Sequence, residues 1–155
     1  MRVYRFFVKA ASTFFYAGYF PFVPGTFASV IGLALYYLVK GNALIYGLLT
    51  LFLLILGFIV AGRAEKLFNK KDARYIVIDE VSGMLLCFLF LPYDIKWVIA
   101  GFFLFRLFDA LKPYPVNSIQ DLKGSPGVMC DDIIAGFYTN IVLQIVFRLA
   151  SFTGS

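Results

Sequence analysis

The chain has 155 residues, enough for one domain, and 61% of them are hydrophobic while 15% are charged. Soluble domains average about 45–50% apolar and about 25% charged, and residues 41–62 carry no charge at all, so composition favours an all-α integral membrane bundle over the alternative of a very apolar soluble helical protein. Histidine is absent, which excludes histidine acid–base catalysis, phosphohistidine and His-ligated zinc. The expected organisation is a single membrane-embedded helical domain over 1–155, with about four to five short spans and an N-terminal interfacial helix.

Residues 1–20 begin basic and turn aromatic. They predict a short helix lying in the membrane interface, and no cleavable signal peptide is expected because no small-residue cleavage site follows a compact apolar core. Pro21, Pro24 and Gly25 break that helix. Thr26 is then placed to cap a helix over FASVIGLALYYLV. Lys40, Gly41 and Asn42 turn the chain into the clearest span, ALIYGLLTLFLLILGFIVA. A basic segment covers 62–78, after which Asp79 and Glu80 open VSGMLLCFLFL. Acids in a first helical turn also complement the helix dipole without any ligand. Pro92, Tyr93 and Asp94 form a turn, and WVIAGFFLFRLFDAL runs from after Lys96 to Lys112-Pro113, where the residue before proline disfavours the helix. Residues 113–130 read as a Pro- and Gly-punctuated loop with a short amphipathic piece around Val116–Leu122, and the last helix is expected to begin at Asp132.

Net charge is +5, from 14 Lys and Arg against 9 Asp and Glu, with basic clusters at Arg2, Arg5, Lys9 and at Arg63, Lys66, Lys70, Lys71, Arg74. No basic stripe carries base-stacking aromatics on a soluble face, so nucleic acid is not an expected partner. Membrane topology and anionic headgroups account for the clusters better. With five crossings and the N-terminus inside, segments 1–25, 62–78 and 110–131 hold three, five and two basic residues, while the outer turns hold Lys40 and Lys96. That assignment follows the positive-inside rule and puts the PFVPGT loop and all the helix-end acids on the cytoplasmic side. Cys87 and Cys130 lack metal-ligand spacing and read as reduced packing residues.

Five of the nine acids, Asp79, Glu80, Asp109, Asp131 and Asp132, sit at ends of apolar helices. Glu65, Asp72, Asp94 and Asp121 lie in polar loops and read as solvated charges. Hard carboxylate oxygens without nitrogen or sulfur partners suit Mg²⁺, which takes one or two carboxylates plus substrate phosphate oxygens. Arg106 and Asp109 are three residues apart on one helical face and can pair, which leaves Lys112 as a phosphate-binding cation. Thr26 and Ser29 flank a helix start that can present amides or hydroxyls to an anion. Asp132, Gly136, Asn140 and Gln144 recur at intervals of four, the pattern of a protein-facing seam. Together these features point to a metal-assisted site for a phosphorylated lipid, its head in water and its tails in the bilayer.

PGTFAS (24–29), IDEVSGM (78–84), FRLFDALKPYPV (105–116) and GSPGVMCDDIIAG (124–136) resemble the motifs of the phosphatidylglycerophosphatase A family in order and spacing. The resemblance implies an all-α, Mg²⁺-dependent phosphatase of the bacterial inner membrane that converts phosphatidylglycerophosphate to phosphatidylglycerol and inorganic phosphate. The resemblance leaves open which acid plays which part; from the residues we expect Asp79, Glu80, Asp131 and Asp132 to hold Mg²⁺, Arg106 and Lys112 to neutralise phosphate oxygens with Thr26 and Ser29 beside them, and Asp109 and Asp131 to be the catalytic acids, Asp109 activating water or attacking phosphorus. Two alternatives use the same residues differently. A CDP-alcohol phosphotransferase would need an acid–Gly, Ala–Arg and spaced Gly–acid pattern that is absent. A small ion or proton carrier would use the carboxylates as a path across the membrane.

Overall fold

The computed structural model describes residues 2–71, 73–114 and 122–153. Among these are six α-helices and no strand: α1 Arg2–Ser12, α2 Pro24–Val39, α3 Ala43–Phe68, α4 Ile78–Leu86, α5 Ile95–Leu111 and α6 Ser125–Thr153, with a 3₁₀ turn at Ala17–Tyr19. The all-α expectation holds. Asp72, Asp121 and most of the amphipathic piece expected around Val116–Leu122 lie outside the described residues.

Local chemistry explains most of the helix ends. Asn42 Oδ1 accepts from the amides of Leu44 and Ile45 and starts α3. Asp94, expected as a solvated charge, accepts from the Lys96 amide at 2.8 Å and caps α5. Several boundaries differ from expectation: α1 ends at Ser12, ahead of the proline break, and α4 ends at Leu86, short of the end of its apolar run. Pro24 occupies the first position of α2, so Thr26 lies inside the first turn and Val23 holds the cap position with no side-chain bond. Helix α3 runs past its apolar stretch to Phe68, because Arg63, Ala64, Glu65 and Lys66 are all good helix formers. Helix α6 starts at Ser125 with Pro126 in its first turn, so Asp131 and Asp132 sit in its second turn and not at its opening.

Helix α4 is the central element. It packs against α2, α3 and α6, and eight of its nine residues are buried, Asp79 among them. At about 14 Å it is too short to cross a bilayer by itself. Helices α3 and α6 are the two that are long and apolar enough to do so. Their outer faces expose Leu48, Phe52 and Ile55 on α3 and Phe137, Ile141 and Ile145 on α6, an apolar exterior of the kind that marks membrane contact.

The expected seam on α6 is present and meets α4 backbone to backbone. A Cβ added at Gly83 would stand 2.8 Å from the Asp132 carbonyl oxygen and 3.0 Å from the Phe105 ring. The C-terminal end of α4 leaves carbonyls without helical partners, and side chains from neighbours supply the donors. Asn140 Nδ2 donates to the Cys87 and Leu89 carbonyls, each at 2.9 Å. Gln144 Nε2 adds a bond of 3.1 Å to the Leu89 carbonyl, and the Tyr46 hydroxyl donates to the Leu85 carbonyl.

Gly83→Ala is expected to lower stability by about 1–3 kcal/mol, because the added methyl overpacks two backbones that cannot separate freely. Gly47→Ala on α3, where the new methyl meets nothing within 4 Å, is expected to be neutral or stabilising by up to about 1 kcal/mol. Thermal unfolding of the two purified variants in detergent compares them directly.

Candidate active site

Four helix ends converge on one region. Helix α4 contributes Asp79 and Glu80 from its first turn, and α6 contributes Asp131 and Asp132 from its second. Helix α5 contributes Arg106 and Asp109 from its last two turns, with Lys112 just beyond it. The first turn of α2 closes the fourth side. A Cβ at Gly25 would collide with the Glu80 carboxylate, so α2 can approach this closely because that position carries no side chain.

One carboxylate oxygen from each of Asp79, Glu80 and Asp132 lies within 4.8 Å of the others. Asp79 is 6% exposed and Asp132 3%. Asp79 Oδ1, Glu80 Oε2 and Asp132 Oδ1 are buried without a hydrogen-bond partner, a costly state for a polar atom. Three convergent carboxylates, each with a buried oxygen that lacks a partner, fit a divalent cation.

The other acids are held by cations. Lys112 Nζ lies 2.9 Å from Asp131 Oδ2, and Asp131 Oδ1 accepts from the Asp132 amide at 3.1 Å. The structure thus divides the expected four-acid metal set into three convergent carboxylates and one tied to Lys112. Successive helical residues point about 100° apart, which is why Asp131 and Asp132 separate in this way. Arg106 Nη1 stands 2.9 Å from Asp109 Oδ2, the pair expected from the sequence. The contact is ionic without an aligned hydrogen bond, so Nη1 still has donor capacity. Asp109 lies within electrostatic reach of Glu80 and Asp132, which brings all five helix-end acids into one cluster.

A cavity of about 380 Å³ opens beside the carboxylates, lined by Pro24, Gly25, Thr26, Arg74, Asp79, Glu80 and Arg106 among others. Thr26 therefore faces the site. Ser29 does not: it is fully buried and its hydroxyl donates to the Gly25 carbonyl at 3.0 Å. Arg74 is a cation that the sequence placed in a topological basic segment, and folding carries it to the cavity wall. Its one sequence signal is its position shortly before Asp79 and Glu80.

Apolar helices, a carboxylate group suited to a cation and an arginine-lined cavity beside it define an all-helical, membrane-associated protein built to handle an anionic ligand. The family model described as Phosphatidylglycerophosphatase A matches residues 10–147, and the chain belongs to that family of phosphatases. A phosphatidylglycerophosphatase A of Escherichia coli is 33% identical over 135 residues, covering 85% of this chain and 78% of that one. The Haemophilus influenzae protein of the same name is 31% identical over 124 residues, covering 77% and 76%. A Bacteroides thetaiotaomicron protein named as a putative phosphatidylinositol-3-phosphatase is 37% identical over 142 residues, covering 86% and 89%. No solved structure matches the chain significantly.

If the three carboxylates share a cation, removing one charge has opposite effects with and without metal. Asp79→Asn or Asp132→Asn is expected to raise the melting temperature in EDTA by relieving like-charge repulsion. The same variants lose the stabilisation that millimolar divalent cation gives the unaltered protein, about 2.7 kcal/mol at a hundredfold excess over the dissociation constant. Paired melting curves in EDTA and in Mg²⁺ read both effects.

Proposed function

We propose that the chain hydrolyses the terminal phosphomonoester of phosphatidylglycerophosphate, releasing phosphatidylglycerol and inorganic phosphate, at the cytoplasmic face of a bacterial inner membrane that it crosses several times. The observation that carries this reading is the three-carboxylate group with its unpartnered oxygens, set beside an arginine-lined cavity. Family membership supports the reaction class. The positive-inside count supports the orientation, with ten basic residues on the inner segments against Lys40 and Lys96 outside.

Asp79, Glu80 and Asp132 would hold Mg²⁺, whose Lewis acidity would polarise phosphoryl oxygens. Arg106 and Arg74, both on the cavity wall, orient the phosphate and neutralise charge that grows in the transition state. Asp109 takes the proton of an attacking water, or itself attacks phosphorus. Its ion pair with Arg106 fixes its carboxylate in either role. Asp131 holds Lys112 by an ion pair, and that ammonium would neutralise a phosphate oxygen from outside the metal group. The carrier alternative has weaker support, because the acids gather at one end of α4, α5 and α6 and form no path along them.

Phosphate release by purified protein from phosphatidylglycerophosphate in mixed micelles, with Mg²⁺ or EDTA, tests the reading. Release is expected with Mg²⁺ alone, and Asp109→Asn is expected to lower kcat by about 10²–10⁴. Phosphatidylinositol 3-phosphate as a parallel substrate tests the activity named for the Bacteroides relative. Trapping separates the two roles of Asp109: borohydride reduction of an acyl phosphate to homoserine at position 109, or ¹⁸O from water on its carboxylate after one turnover, marks direct attack, and a chain that is never phosphorylated during turnover marks activated water. Metal-independent release, or full activity in Asp109→Asn, would sink the assignment.

A further inference from the structure

A second cavity, about 180 Å³, lies between α2 and α5 and is lined by Val30, Leu33, Val98, Ile99, Phe102 and Phe103, all apolar. Its position follows from helical periodicity. On α2, Thr26 at the polar cavity is followed by Val30 and Leu33, four and seven positions on. On α5, Arg106 is preceded by Phe103, Phe102, Ile99 and Val98, three, four, seven and eight positions back. These spacings stay on one face of a helix. The faces that line the charged cavity therefore continue, over about 10 Å of helix, as the walls of an apolar groove. Helices α2 and α5 touch lightly along this line, and Val30, Ile99 and Phe103 remain exposed at its mouth. The groove opens sideways, on the outer apolar surface of the bundle.

We infer that this α2–α5 groove seats an acyl chain of the phospholipid substrate while its phosphate occupies the cavity at Asp79, Glu80 and Arg106. The inference rests on the phosphatase reading above and adds where the lipid's tail lies and which residues sense it. The occupant is set by continuity. A ligand with a charged end at Arg106 and an apolar tail meets the two cavities about one turn apart on the same faces of α2 and α5, the helices already flanking its headgroup. Contacts made to a tail far from phosphorus are the same in the ground and transition states, so they act on KM and leave kcat alone.

The test compares substrates that share a headgroup and differ in tail: dioleoyl phosphatidylglycerophosphate in mixed micelles and the dihexanoyl form as a monomer. Val30→Trp fills the groove, and is expected to raise the apparent KM for the dioleoyl substrate about tenfold, the effect of displacing about two buried methylenes. Its kcat, and both constants for the dihexanoyl substrate, are expected to stay within about twofold of the unaltered protein. Phe103→Ala, which adds no bulk, is expected to give a smaller rise of the same selectivity. Leu38→Trp, on the exposed outer surface of α2, is expected to change neither substrate. Equal effects of Val30→Trp and Phe103→Ala on both substrates, or none on either, would overturn the groove while leaving the phosphatase reading intact. Failure of the unaltered protein to release phosphate from either substrate would overturn both.

Discussion

Three like charges crowd one end of an apolar bundle, and the surrounding structure is arranged around their repulsion. Two unit charges 4.8 Å apart, the outer limit for these oxygens, repel by about 3.5 kcal/mol at an effective dielectric near 20. Three such pairs sum to about 10 kcal/mol, comparable with the whole stability of a typical domain. Desolvation of Asp79 and Asp132 adds to that. Positive charge entering the group, as a divalent cation or as protons, would relieve that repulsion. The fold then has two tasks: to force the acids together, and to keep the protein's own cations from satisfying them.

The first task falls to α4. A short helix buried among α2, α3 and α6 can carry Asp79 and Glu80 into the interior only if its own backbone is satisfied there. The Tyr46 hydroxyl bonds the Leu85 carbonyl in its last turn, and the amides of Asn140 and Gln144 bond the Cys87 and Leu89 carbonyls just beyond it. Gly83 removes the side chain that would hold α6 away, so Asp132 arrives at the carboxylates on a backbone in direct contact with α4. The second task falls to α5 and the turn after it. Lys112 adopts a left-handed conformation, φ 44°, while its amide donates to the Phe108 carbonyl at 2.9 Å. That ends the helix and leaves the ammonium on Asp131. Arg106 is likewise engaged by Asp109. Each of these cations has an acid outside the group of three as its ion-pair partner.

Much of this was legible in the sequence, and the parts that were not share a cause. The acids stood out because charge at the edge of apolar helices is rare and costly. The seam through Gly136, Asn140 and Gln144 stood out because small and polar residues at intervals of four have few other uses in such a helix. Boundaries fared worse. Pro126 and Pro24 read as breaks, yet each stands in a first helical turn, where proline costs nothing. This displaced the expected starts of α2 and α6. The division of labour between Asp131 and Asp132 depends on which face of a helix each occupies, and that in turn depends on where α6 begins. Arg74 was hidden because a loop residue's destination is set by tertiary packing, here the Val77 amide bonded to the Ser12 carbonyl at 3.0 Å, and by no local pattern.

The entry of α2 ties the charged end of the site to its apolar flank. A helix N-terminus carries amides without helical partners and the positive end of the dipole. Here Pro24 contributes no amide, Gly25 contributes no side chain, and the Glu80 carboxylate lies against that first turn. A negative group at this point is stabilised by about 0.3–1 kcal/mol when exposed and by up to about 2 kcal/mol when partly buried. That is too little to offset the repulsion within the carboxylate group, but enough to favour one orientation of Glu80. On the function proposed above, the same effect would help hold a phosphate beside Thr26. One turn further along α2 the polar atoms end and Val30 begins the groove. The boundary between water and hydrocarbon chemistry therefore falls within a single turn of a single helix, and a phospholipid's own polar–apolar junction has the same abruptness.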